Sequence, residues 1–377
     1  MIYFDSAATT LQKPAAVRRA VSRALVGLAS PGRGGHRAGM AAADTVYRAR
    51  ETAAELFGAP GPEGVVFTMN ATHGLNLAMK SLVGAGDRVV VSGYEHNSVI
   101  RPLHAIGAEV VVARSPLFAP EMAVAAFAAA VTPDTKLVVC NHVSNVFGYV
   151  LPVVEIGALC RERGVPFVLD ASQSAGLLEV DTKALGAAFV AMPGHKGLYG
   201  PQGTGILICN THTVSPLLEG GTGSDSMRRE MPEDLPDRLE AGTPNMPGIS
   251  GLLAGMEFIR RRGMEQMLRH ERHLLRCLLA GLRRISGVCP YAAEDPEQQA
   301  GVLSFHADGT DCEAVAEALG TADIAVRAGL HCSPLAHETA GTQQTGTVRV
   351  SFSVFNTEAE VTQFLGVLEQ IIKRLRK

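Results

Sequence analysis

Residues 166–197, PFVLDASQSAGLLEVDTKALGAAFVAMPGHKG, hold two short apolar runs that each end in a charged residue. Pro166-Phe167-Val168-Leu169 runs into Asp170. Phe189-Val190-Ala191-Met192 runs through Pro193-Gly194-His195 into Lys196. Runs this short and this uniformly apolar suit strands buried on both faces, as in a parallel sheet covered by helices. A short helical stretch near 181–185 separates them and makes a strand–helix–strand unit. Both charges then fall at the carboxyl ends of strands, where open α/β sheets bind ligands.

The same rhythm extends on both sides. Val65–Thr68 leads into a helix at 72–83, and Arg88–Ser92 into 97–106. Val110–Ala113 and Leu137–Asn141 follow, the latter leading to 153–163, and Ile206–Cys209 closes the series. Helical spacing at 15–28 and 41–57 precedes it. The pattern predicts an α/β fold with a large, mostly parallel seven-stranded sheet. A long helical stretch at 250–285 changes the rhythm. Beyond it, strands at Gly301–His306, Ala325–Ala328 and Val348–Ser353 alternate with helices at 311–319 and 357–376, as in a smaller α+β domain. With the Pro/Gly-rich stretch 241–251 as junction, the expected division is a large domain at 15–250 and a small one of 1–14 plus 251–377.

A chain of 377 residues, 46% of them hydrophobic, can bury a large core. A net charge of -3 lacks the basic footprint of a nucleic-acid binder. No run of about 18 apolar residues predicts a membrane span. The start has no basic segment before an apolar one, so no signal peptide is expected. Seven scattered cysteines, none in C-x-x-C spacing, argue against a disulfide framework or a zinc site and for a reducing cytoplasm.

Chemistry-bearing residues follow the strands. After Val65–Thr68, Asn70-Ala71-Thr72 opens a helix whose free N–H groups suit a phosphate, though it serves equally as a plain N-cap. After the next strand, His96 is placed to lie flat on an aromatic ring or to play a structural part. Asp170 sits at the edge of the core, where a bare carboxylate is costly. A protonated pyridine nitrogen answers it, with Gln173 donating to a phenolic oxygen, unless Asp170 is only a helix cap. Lys196, between glycines, is placed for imine formation with an aldehyde. Cys332, after a short strand and before the Gly/Thr-rich loop 339–346, is a candidate nucleophile in a mobile polar loop. Arg349, in a strand, either clamps a carboxylate bidentately or serves a structural ion pair.

These residues sit in a set of motifs: ATHGLNLAM (71–79), EHNS (95–98), HVSNVFG (142–148), DASQ (170–173), GHKGLYGPQGTG (194–205), EAGTPN (240–245) and VRAGLHC (326–332). With them, the chain resembles nearly end to end the cysteine desulfurase and selenocysteine lyase group, in the class V aminotransferase-like branch of fold-type I pyridoxal-phosphate enzymes. The resemblance implies a Schiff base on Lys196, Asp170 on the pyridine nitrogen, Gln173 on the phenolic oxygen and His96 stacked on the ring. It implies phosphate ligands in Ala71, Thr72 and His195, with Thr222 or Ser224 reaching across from a second subunit of a homodimer. Asn145, Arg349 and Arg327 would hold the substrate, L-cysteine or L-selenocysteine, with Asn145 also beside the cofactor. Cys332 would take the sulfur as a persulfide and pass it to an acceptor protein or small thiol, and the short Cys332–Arg349 interval implies the compact, ordered cysteine loop of a divergent subfamily. An aminotransferase or another lyase of this fold would not need Cys332, and a non-catalytic docking subunit would need none of the set. Pro193 departs from the usual Ser or Thr before Gly-His-Lys, Ser6 from the usual Asn, and Leu330 from a second histidine. The segment GGTGSDS (220–226) departs from the glycine-rich pattern of the main assembly enzymes.

Overall fold

The computed structural model describes residues 1–32 and 34–376. The chain opens with β1 (Ile2–Tyr3), α1 (Ala15–Gly27) and α2 (Arg37–Phe57). Then come β2 (Val65–Thr68), α3 (Ala71–Leu82), β3 (Arg88–Ser92), α4 (Asn97–Ile106), β4 (Glu109–Ala113), α5 (Pro120–Ala130), β5 (Thr135–Asn141) and α6 (Val153–Glu162). β6 (Phe167–Asp170), α7 (Thr182–Leu185), β7 (Phe189–Pro193) and β8 (Gly205–Cys209) complete one sheet of order β2-β8-β7-β6-β5-β3-β4. β8 runs antiparallel to both of its neighbours and every other pairing is parallel. This is the expected large, mostly parallel seven-stranded sheet.

The period-2 geometry of a strand explains the apolar runs at the centre of the sheet. Val90, Val138, Cys140 and Val190 pack into the core on one face. Their neighbours Val89, Val91, Leu137, Val139 and Ala191 pack into the core on the other. A polar residue on either face would meet a helix rather than water.

The remainder begins with α8 (Met246–Arg262), α9 (Met264–Leu282), β9 (Val288–Tyr291), β10 (Val302–Ala307), α10 (Cys312–Thr321) and β11 (Ile324–Ala325). It ends with β12 (Arg327–Gly329), α11 (Pro334–Ala340), β13 (Thr347–Ser351) and α12 (Glu358–Leu375). β12, β13, β10 and β9 form an antiparallel sheet, and β1 pairs in parallel with β11. Phe4, Leu274, Leu303, Phe305, Val350 and Phe364 join in its separate core.

Four features differ from the expectation. The helical stretch 250–285 breaks at Gly263, whose φ of 83° is in the left-handed region. α8 packs on α1 and α2, whereas α9 packs on α12, so the change of packing partner falls at Gly263. The strand expected at 325–328 divides into β11 and β12, serving two different sheets. β1, α5 and β9 are new, and α11 occupies the start of what the sequence presents as a loop.

Arg50 of α2 ties the helix layer to the edge of the large sheet. Its guanidinium donates to both carboxylate oxygens of Glu240, at 2.9 and 2.7 Å, and lies over the Phe67 ring. Glu240 Oε1 also accepts from the Phe67 N–H of β2 at 2.6 Å. Replacing Arg50 by Met strands that mostly buried carboxylate. The expected cost is about 3 kcal/mol or more, read as a lower urea midpoint with an unchanged slope.

Candidate active site

A cavity of about 280 Å³ opens at the carboxyl ends of β5, β6 and β7 and the starts of α3 and α4. Asp170, Lys196, His96, Thr72, Gln173 and Asn145 are among the residues that line it.

Lys196 reaches it from the turn after β7. Among the described residues, its Nζ has no hydrogen-bond acceptor and no carboxylate at ion-pair distance. Burial pushes the amine down to about 8. Asp170 opposes that shift, and Arg349 and Arg327 add to it. Asp170, 4% exposed, accepts a single N–H, from Ser172 at 2.9 Å, and has no cationic partner among the described residues. The site therefore presents a bare amine and a bare carboxylate to the same space.

His96 is the N-cap of α4, and its Nδ1 accepts from the Ser98 N–H at 3.0 Å. Burial pushes its pKa down to about 4, so the ring is neutral at pH 7. Ser98 Oγ stands 2.8 Å from His96 Nδ1 and 2.8 Å from Thr72 Oγ1. This hydroxyl chain joins the ring to the start of α3. There the Asn70 side chain caps His73 at 2.9 Å, which leaves the first N–H groups of the helix, on Ala71 and Thr72, for another acceptor. His195 is also held neutral, pushed by burial to about 4, with Nδ1 3.0 Å from Thr9 Oγ1. Pro193 lines the wall without a hydroxyl, but Ser98 brings one to the same cavity.

Gln173, Thr222 and Arg349 each make hydrogen bonds within the chain. Gln173 Nε2 donates to the Ala7 carbonyl at 2.9 Å and so anchors the N-terminal segment. Thr222 Oγ1 lies 3.0 Å from Ser224 Oγ, which bonds Asp237; neither residue is among those lining the cavity. Arg349, 2% exposed, donates from Nη2 to Asp5 at 2.7 Å and from Nη1 to the Asn145 carbonyl at 2.8 Å. Its Nε has no partner among the described residues. Arg327 faces Arg349 across the β12–β13 pair and is exposed.

Cys332 is exposed, but its surroundings are fixed rather than loose. His331 and Cys332 have φ values of 50° and 57°, costly for residues with a Cβ. Asn145 holds both flanks: its Nδ2 donates to the His331 carbonyl at 2.9 Å, and its Oδ1 accepts from Ser333 Oγ at 2.7 Å. The Cys332 carbonyl accepts from the Asn97 N–H at 2.9 Å, one residue from His96. His331 lies buried on His337 and bonds Thr347.

Ser98, Ser333, Asp5 and Glu95 also belong to this neighbourhood, although their sequence context assigns them no role. Ile2-Tyr3-Phe4-Asp5 carries the same apolar-run-then-aspartate signal that picked out Asp170. Glu95 is fully buried with Ser92 Oγ at 2.5 Å and the Asn141 N–H at 2.8 Å. Burial pushes it up to about 8, which makes it a neutral acid at pH 7. Nothing in its sequence context separates it from an ordinary residue before a helix.

Residues 2–364 match the family described as aminotransferase class-V. The chain belongs to the class-V aminotransferase family. It is 35% identical to a probable cysteine desulfurase of Pyrococcus abyssi, covering all of this chain and 95% of that one. It is 33% identical to a cysteine desulfurase of Klebsiella pneumoniae, covering all of this chain and 94% of that one. The fold superposes with a TM-score of 0.90 on an apo cysteine desulfurase of Thermococcus onnurineus, at 34% identity over 99% of this chain and 95% of that one.

The neutral amine is the nucleophile at Lys196, and its fraction rises with pH through the amine's pKa. Acetylation of Lys196 by a pulse of acetic anhydride, in the chain freed of small molecules, should be half-maximal near pH 8. An ordinary lysine titrates near about 10.4. Peptide mapping by mass spectrometry across pH 6–11 checks it.

Proposed function

We propose that this class-V aminotransferase family member is a cysteine desulfurase that uses pyridoxal phosphate in the Lys196 cavity and carries sulfur away on Cys332. The observation that carries this reading is one cavity with an unpaired amine, an unpaired carboxylate and a clasp on an exposed cysteine. The residues fit the cofactor. Lys196 matches its aldehyde, Asp170 a ring N–H, His96 a ring face, and the α3 start with Thr72, Ser98 and His195 its phosphate. Pyridoxal phosphate, when bound, supplies the electron sink that acidifies the Cα–H of an amino acid.

The chain's own residues do the rest. Asp170 would hold a bound cofactor's ring nitrogen protonated by ion pairing. Lys196 Nζ, basic enough to accept a proton yet partly neutral at pH 7, takes the Cα proton and returns it. Arg349, already oriented by Asp5, and exposed Arg327 offer the guanidinium groups for the substrate carboxylate. Asn145 positions the Cys332 turn. Cys332 Sγ, as thiolate, then bonds the substrate sulfur while the C–S bond breaks. The bonding pair stays with the carbon, which takes up a proton and becomes the methyl group of alanine. The sulfur leaves on Cys332 as a persulfide and passes to an acceptor thiol. A homodimer is the assembly that gives Thr222 and Ser224 a cavity to serve, that of the partner.

No helix among the described residues is long and apolar enough to cross a membrane. A reducing cytoplasm suits a reaction that keeps Cys332 as a thiol between turnovers.

The wild-type chain should form alanine and sulfide from L-cysteine with a reductant present. Cys332→Ala should keep the yellow cofactor band yet lose sulfide formation by at least about a hundredfold, in line with removal of a nucleophile. Undiminished sulfide formation by Cys332→Ala rules out the persulfide route. Selenide formed from L-selenocysteine, measured alongside, ranks the two substrates.

A further inference from the structure

The β9–β10 hairpin carries a group of polar side chains that the reaction does not use. Cys289 on β9 stands directly opposite His306 on β10. Asp308 follows His306 by two residues and returns to the same face. A sulfur of Cys289, a ring nitrogen of His306 and a carboxylate oxygen of Asp308 all lie within 4.8 Å of one another. His306 Nε2 is 3.5 Å from Asp308 Oδ1. That is long for a hydrogen bond. It is close to the edge of about 3.3 Å between two ligands held about 2.0 Å from one tetrahedral ion.

A second observation concerns the other ring nitrogen. His306 Nδ1 lies 3.0 Å from the Tyr291 hydroxyl. Tyr291 is two residues from Cys289 on the same strand, so the two flank His306 on one face. Metal-binding imidazoles are held in this way: an acceptor takes the remote N–H, and the near nitrogen keeps its lone pair for the ion. The contact fixes the ring's orientation, and with Nδ1–H donating to the tyrosine oxygen it leaves the Nε2 lone pair on the Asp308 side.

We propose that Cys289, His306 and Asp308 form a binding site for a thiophilic divalent cation of the zinc class, with water in the fourth position. The donor set decides the class. One sulfur, one imidazole and one carboxylate suit zinc and its neighbours, whereas magnesium and calcium take oxygen ligands. The scaffold is rigid, since the first two ligands are a cross-strand pair. β9 is an edge strand and Cys289 is exposed, so an ion has open access. None of the three residues lines the Lys196 cavity, so the site stands independently of the proposed reaction. A comparable trio, His273, Cys277 and Glu358, is less suited. Its imidazole Nε2 is already closed on Glu358 at 2.7 Å, and no group among the described residues holds the remote nitrogen.

The test is zinc binding by the full chain after chelator treatment, by competition with a chromophoric chelator and by elemental analysis. The wild-type chain should bind one micromolar-or-tighter equivalent more than Cys289→Ser or His306→Ala. Tyr291→Phe should keep the equivalent but bind it about tenfold more weakly, as loss of an orienting partner does. His273→Ala and Cys277→Ser should bind as wild type does. Unchanged thermal unfolding without metal verifies that the surface variants fold. The proposal falls if the wild-type chain binds no zinc, or if Cys289→Ser and His306→Ala match its stoichiometry and affinity.

Discussion

Asp170 and Lys196 are opposite charges at neighbouring strand ends that do not pair with each other. Pairing would satisfy both, because a buried charge without a partner is expensive. The fold keeps them apart and leaves each demand directed into the cavity. Strand register sets the arrangement: Asp170 lies beside Ala191, and the chain runs on past Pro193 before Lys196 turns back. The turn is tight. A Cβ on Gly194 would strike Thr204, and one on Gly197 would strike the Ala175 carbonyl, so neither position admits a side chain. The cost of the two bare charges is borne by a sheet whose central strands are mostly apolar on both faces. Only such a core can hold a carboxylate and an amine unpaired without rearranging around them.

The sheet was legible because burial on both faces writes itself as uninterrupted apolar runs. Asp170, Lys196 and the α3 start were legible because strand ends are where a parallel sheet exposes its chemistry. α5 was not, since PEMAVAAFAAA is apolar nearly all round and shows no helical stripe. β9 was hidden by Pro290, which an edge strand tolerates because one side needs no ladder bond. The break at Gly263 was hidden by unbroken helical periodicity on both sides of it.

Side-chain partnerships were the least legible part. Gln173, Asn145 and Arg349 each spend their polar atoms on backbone or side chains far away in sequence. Asn145 reaches residues 331 and 333, and Arg349 reaches Asp5. Motif spacing conveys which residues come near the site, not which of them hold the others. The Cys332 turn illustrates the difference. A run of glycines and threonines by itself reads as a mobile loop, whereas the short Cys332–Arg349 interval implies a compact, ordered one. Asn145, Thr347 and the short helix α11 pin it in a conformation that an unsupported chain avoids.

The pairing of β1 with β11 has a consequence for the order in which the molecule is made. Ile2 and Phe4 complete a sheet edge and a core whose other members lie beyond residue 270, and Asp5 meets Arg349. A ribosome adding about 5–20 residues each second needs on the order of 20–60 s to travel between those positions. The large sheet has all its strands by residue 209 and can close early. Phe4 and Asp5 are then left waiting. During that interval the Arg349 bridge from Asp5 to the Asn145 carbonyl does not exist, so the support behind Asn145 is finished only when the last tenth of the chain folds back onto the first.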